Sequence, residues 1–271
     1  MEAIRRHARK VMLAGDYRHS DFDAVRAFLA AAPNIDVIEM GAVNKAASGG
    51  EIIAICQSRP GQLTQSQIES LHACAPLARL LAILGSWCEG EMRSGQPWHG
   101  VERVYWYDAV GRLRWLLASG TYSAASRTQT AAERIESSTR RWPQVKPGAS
   151  AAIFTLRRSE YEPLADVCRA LQLSPRWEKG WQPLGIAPQF VIVAIDDLQA
   201  GVALDSLAAM CNGWPDTKRI ALLNFPRRSE VELLKATGFH HVLGKPLLIA
   251  DLLGCLPGMW VERSQRQTAA S

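Results

Sequence analysis

The chain has 271 residues, 48% hydrophobic and 21% charged, with a net charge of +5. That length admits one or two domains with proper cores, and the composition excludes a disordered or fibrous chain. The basic excess is small and local, at Arg5, Arg6, Arg9 and Lys10 and again from Arg127 to Lys146, which does not by itself argue for nucleic acid.

The six cysteines (Cys56, Cys74, Cys88, Cys168, Cys211 and Cys255) form no CxxC or other close metal pair. Cys56, Cys168 and Cys255 fall in apolar periodic segments, where a free cysteine acts as a small hydrophobe. They read as reduced thiols of a cytoplasmic protein, with no structural metal expected. The apolar run near the basic start is too short for a secretory core. No apolar run reaches the roughly 18–20 residues of a membrane span.

In chain order, Val11 to Ala14 reads as a strand closed by Gly15-Asp16. Ser20-Asp21 caps a helix from Phe22 to Ala32, with Phe22, Val25, Phe28 and Leu29 at helical spacing. Strands are predicted over Asp36–Met40 and Glu51–Cys56. Thr64 with Gln67 has capping-box spacing for the next helix. Leu77–Leu84 and Val101–Tyr107 read as strands, and Val110–Leu117 as a helix. Residues 118–150 are rich in Ser, Thr, Ala, Gln and Arg, contain a possible polar helix from Thr130 to Arg141, and read as a linker. A second series follows: strands at Ala151–Thr155, Arg176-Trp177, Phe190–Ile195, Arg219–Leu223 and His241–Leu243. Its helices are predicted at Tyr161–Leu171, Gly201–Cys211, Ser229–Thr237 and Leu247–Leu256. The tail from 258 is polar. Alternating strands and helices of this kind predict mostly parallel sheets covered on both faces, with right-handed crossovers.

The most informative stretch is Gly238 to Leu252, GFHHVLGKPLLIADL. It sets a lysine and a proline at the C-terminal end of the last strand, the end at which open α/β sheets place their chemistry. Gly238, Leu243, Lys245 and Pro246 match a pattern that resembles the response-regulator receiver family over about 105 residues, from Ala151 to Leu256. The resemblance implies a flavodoxin-like, three-layer α/β fold. It implies that Lys245 is the lysine that contacts a phosphoryl group, that Lys245–Pro246 is a candidate cis bond, and that Asn224 replaces the family's Ser/Thr after the fourth strand. Other positions depart from it. Thr155, Leu156, Arg157 and Arg158 stand where receivers carry the acidic pair that binds Mg²⁺. Ala194 stands at the phosphoacceptor position, with Asp196 two residues on. A two-residue offset keeps the face of a strand but moves the group by roughly 6–7 Å. The first half is receiver-like by element order alone: Asp16 follows its first strand, but Cys56 or Gln57 ends its third and no Lys-Pro follows its fifth.

Gly85 to Gly100 (GSWCEGEMRSGQPWHG) is the most unusual loop. Cys88, Glu89, Glu91 and His99 are candidates for a metal or nucleophile site; Trp87 and Trp98 are candidates for a binding surface or for plain packing over the sheet end. Gly15 to His19 is a weak candidate phosphate-binding turn, lacking any P-loop spacing. His240 and His241 have no partner at metal-ligand spacing, and the linker arginines come without a nucleic-acid reader motif.

The expectation is two receiver-like α/β domains, 1–117 and 151–257, joined by the 118–150 linker and followed by a tail from 258 to 271. The second is read as a pseudo-receiver: a non-catalytic module of two-component signalling that acts through a protein partner or a homodimer, without membrane or nucleic acid. It needs no cofactor. The alternatives are a phosphoacceptor using Asp196 with Lys245, which requires Mg²⁺, and an enzyme or metal site in the Cys88–His99 loop.

Overall fold

The structure is a computed structural model that describes residues 9–40, 51–91, 98–119, 148–179, 186–198 and 204–256. The chain forms two compact α/β units, the first running to Val110 and the second taking over at Gly111.

The first unit contains β1 (Arg9–Gly15), α1 (Asp23–Ala31), β2 (Ile35–Glu39), β3 (Ile52–Gln57), α2 (Gln65–Cys74), β4 (Arg79–Leu84) and β5 (Val101–Tyr105). All its strand pairings are parallel, in the order β2-β1-β3-β4-β5. Burial follows from that order. The inner strands carry the continuous apolar runs VMLA, IIAIC and LLAIL, fully buried as a sheet covered on both faces requires, while edge strands β2 and β5 are mostly half-exposed. The Thr64 capping box is present: the Thr64 N–H donates to Gln67 Oε1 at 2.8 Å, and Gln67 N–H donates back to Thr64 Oγ1 at 3.4 Å.

Helix α3 (Ala109–Ser119) starts in the first unit and from Gly111 on belongs to the second. There it meets the final helix, α7 (Ile249–Gly254). Arg112 makes a buried two-pronged ion pair with Asp251, at 2.7 and 2.9 Å, and Arg114 donates to the Gly254 carbonyl at 2.8 Å. The helices touch backbone to backbone: a methyl group on Gly254 would collide with the Gly111 carbonyl.

The rest of the second unit is β6 (Ser150–Phe154), α4 (Arg158–Ala170), β7 (Ser174–Glu178), β8 (Phe190–Ile195), α5 (Leu204–Gly213), β9 (Lys218–Asn224), α6 (Arg228–Thr237), β10 (His241–Lys245) and α7. Its sheet order is β10-β9-β8-β6-β7, the same topology as the first, again all parallel. Each unit is thus a flavodoxin-like α/β sheet flanked by helices. Gly238 closes α6 with φ +110°, a left-handed cap that favours glycine. The buried Arg219 guanidinium donates to the carbonyls of Cys211, Trp214, Pro215 and Gly238, tying the ends of α5 and α6 to β9.

The possible 130–141 helix, most of the 118–150 segment and the tail from 258 lie outside the described residues. Among the described residues no helix is long and apolar enough to cross a membrane.

Candidate functional site

Strand register assembles the crest of the second sheet. Lys245 pairs with Asn224, and Ile195 pairs with Leu223, so the next residue of β8's chain, Asp196, enters the row of Asn224 and Lys245. Ala194, two rows down, pairs with Leu222. The carboxylate that meets the lysine is therefore the one two residues beyond the strand position expected from the family.

Lys245 Nζ donates to Asp196 Oδ1 at 3.0 Å and to Glu160 Oε1 at 2.9 Å. Arg157 lies 3.6 Å from the other Asp196 oxygen. Thr155 Oγ1 donates to Glu160 Oε2 at 2.7 Å, and Asn224 Nδ2 donates to the Asp196 carbonyl at 3.4 Å. The hydrogen bond from Lys245 holds the Asp196 carboxyl below the usual carboxylate range; the charges of Lys245 and Arg157 act in the same direction, against burial. The Lys245–Pro246 bond is cis.

This arrangement does not fit Mg²⁺. Asp196 and Glu160 already converge on an ammonium, Thr155 and Arg157 occupy the end of β6 and the turn after it, and no group of three His, Cys, Asp or Glu among the described residues is placed to hold a metal ion.

Glu160 was missed by the sequence reading, although a signal for it is present. Residues 157–164 (RRSEYEPL) and 227–234 (RRSEVELL) repeat the pattern Arg-Arg-Ser-Glu-x-Glu-x-Leu at the starts of α4 and α6. The repeats share an Arg-to-Glu pair four residues apart, Arg158–Glu162 and Arg228–Glu232, each at 2.9 Å. They differ at the first glutamate. Glu230 accepts from the Arg227 N–H at 2.8 Å, as a helix start favours. Glu160 instead turns to Thr155 and Lys245.

Of the Gly85–Gly100 loop, residues 85–91 and 98–100 are described. Residues 86–88 form a short 3₁₀ turn that buries Cys88 completely; its Sγ lies 3.4 Å from the Gln57 carbonyl, and burial raises its pKa. A thiol without exposed surface is no nucleophile or ligand for a solvent-borne partner. His99 is exposed, with its carbonyl 3.1 Å from the His72 ring. Among the described residues Cys88 and His99 are not brought into contact; residues 92–97 of the loop lie outside the described residues. Trp98 is partly buried and packs on the first unit's core, whereas Trp87 is 72% exposed. The Gly15–His19 turn is internally committed: Tyr17 and Arg18 both donate to Glu39, at 3.0 and 3.3 Å. His240 Nδ1 accepts from the Arg219 N–H at 3.2 Å, and His241 is largely withdrawn from solvent.

No protein-family model matches the chain, and neither does any curated protein. Among solved structures it is similar to a response regulator CheY-like protein from Mesorhizobium loti, at 20% identity, covering 40% of this chain and 95% of that one, TM-score 0.34. It is similar to the signal receiver domain of an HD domain-containing protein from Pseudomonas fluorescens Pf-5, at 17% identity, 45% and 98% coverage and TM-score 0.36. A structure described as a "probable two-component system response regulator/GGDEF domain protein" is 10% identical over 97% of this chain and 98% of that one, TM-score 0.33. At these values the likeness adds nothing to what the strand order of each unit shows directly: a pair of flavodoxin-like α/β folds.

Proposed function

We propose that this chain is a receiver-type regulatory protein that acts through protein–protein contacts and accepts no phosphoryl group on its second unit. The observation that carries the reading is Lys245 bridging Asp196 and Glu160. In a working phosphoacceptor the lysine and a metal are available to stabilise the transferring group's charge. Here the lysine is engaged by two carboxylates, Ala194 replaces the strand-end aspartate, and Thr155 and Arg157 replace the acidic pair. The crest is in effect locked by its own ion pairs. A protein partner or a second copy is the expected ligand of such a module, with exposed Trp87 a candidate anchor. No catalysis of its own is assigned to it. A cytoplasmic setting goes with six free cysteines and is checked by cell fractionation.

One observation favours a second reading: Asp196 and Lys245 are in direct contact at 3.0 Å, so a phosphoacceptor shifted by two residues keeps its lysine. Calorimetry and NMR of the full chain with Mg²⁺ and beryllofluoride, a phosphoryl mimic, separate the two. The locked reading expects no saturable binding. Saturable binding with shifts at Asp196, Asn224 and Lys245, abolished by Asp196→Asn, establishes the phosphoacceptor instead.

A further inference from the structure

The first unit's crest is built on the opposite plan, and it is open. A cleft of about 340 Å³ is lined by Gly15, Asp16, Cys56, Gln62 and Leu63. It lies at the C-terminal ends of β1 and β3, where the strand order reverses. This switch point is the place at which open α/β sheets receive ligands, and the volume is at the small end of the range for ligand pockets.

The cleft has one floor of backbone and one polar wall. Gly15 has φ +77°, and a side chain there would run into the Cys56 carbonyl, so the β1 turn lies flat against β3. The polar wall is a relay: Gln62 Nε2 donates to Ser58 Oγ at 3.1 Å, and Ser58 Oγ donates to Asp16 Oδ2 at 2.6 Å. Gln62 is itself pinned, its Oε1 accepting from the N–H groups of Ser58 and Arg59 at 2.8 and 3.1 Å. Ser58 thus links the two, and among the described residues the second Asp16 oxygen, Oδ1, and the second Gln62 N–H make no further hydrogen bond. Leu63 supplies an apolar side.

The chemistry of the wall narrows the ligand. None of the described lining residues is cationic, and the Asp16 carboxylate disfavours a phosphate or carboxylate beside it. Among the described lining residues Asp16 alone is acidic, too few hard oxygens for a divalent ion. A carboxylate linked through Ser58 to an amide donor suits paired hydroxyl groups, which donate to the one and accept from the other. We infer that the first unit's crest binds a neutral, polyhydroxylated small molecule of sugar or nucleoside size, through a vicinal diol held by Asp16 and Gln62. This site is separate from the Lys245 crest and stands whether or not that crest is locked.

The test titrates the full chain with D-ribose, adenosine and 2′,3′-dideoxyadenosine, followed by NMR amide shifts and calorimetry. Expected is saturable binding of ribose or adenosine at or below ~5 mM, with shifts at Gly15, Asp16 and Leu63 and affinity at least about tenfold weaker for the dideoxy compound. Asp16→Asn should weaken binding by about tenfold or more, the loss of a charge-assisted hydrogen bond. Leu63→Trp, which fills the cleft and spares the relay, should abolish it. No saturable binding of ribose or adenosine overturns the assignment. So does equal binding of the dideoxy compound, or Mg²⁺ alone reproducing the shifts at Asp16.

Discussion

Replacing Arg112 with alanine is the sharpest probe of how the second unit is built. The Arg112 and Asp251 side chains are 6% and 5% exposed and meet through two hydrogen bonds. Taking out the guanidinium strips both of these hydrogen bonds from a carboxylate buried between α3 and α7. Breaking a buried pair from one side costs about 3–5 kcal/mol, because the surviving charge stays desolvated. The pair itself contributes much less, so Arg112→Met with Asp251→Leu should recover most of the loss. Two compact units need not unfold together, so a single melting temperature is the wrong readout. Native-state hydrogen exchange of α7 and β10 amides reports the stability of the second unit alone. Arg112→Ala should raise the exchange of those amides by two orders of magnitude or more, at about 1.4 kcal/mol per tenfold, and the double variant should reverse most of it. A change below about 1 kcal/mol in the single variant would mean that the pair is solvated and that α3 is not part of this unit.

Three further outcomes follow from buried polar groups and caps. Arg219→Met strips donors from the carbonyls of Cys211, Trp214, Pro215 and Gly238, and should cost at least about 2 kcal/mol by urea denaturation; no change would mean that water satisfies those carbonyls. His241 is held neutral down to about 3, mainly by burial and then by Arg114, with His240, Lys218 and Lys235 adding to it. The unfolded chain takes up this proton near 6.5 and the folded one does not, so stability should fall as pH drops below 6.5, by up to about 1.4 kcal/mol per unit. His241→Gln should flatten that slope between pH 6.5 and 5, and an unchanged slope refutes the assignment. Thr64→Ala removes one half of the α2 cap, and should cost the first unit about 0.5–2 kcal/mol, read by exchange at the start of α2.

The apolar runs VMLA, EIIAIC, LARLLAIL and FVIVAI state both sheets plainly, because an inner parallel strand is buried on both faces and tolerates almost nothing polar. Gly238 and Thr64 declare their caps for equally local reasons, a left-handed turn and a hydroxyl three residues from an amide. Lys245 and Pro246 stand out in the sequence because motif and strand end coincide. What sequence could not determine is which groups meet across the chain. That Asp196 rather than Ala194 stands opposite Lys245 depends on the register of three strands. Glu160, 85 residues from Lys245, reads as an ordinary first-turn glutamate until α4 is docked on the sheet. Cys88, one candidate among the polar residues of its loop, is buried because its 3₁₀ turn packs against Gln57. Helix α3 reads as the close of the first series, yet from Gly111 it belongs to the second unit, through Gly254 and Asp251. Local pattern specifies elements because propensity and burial act over a few residues; ion pairs, burial of a thiol and helix docking are long-range and exist only once the chain has closed on itself.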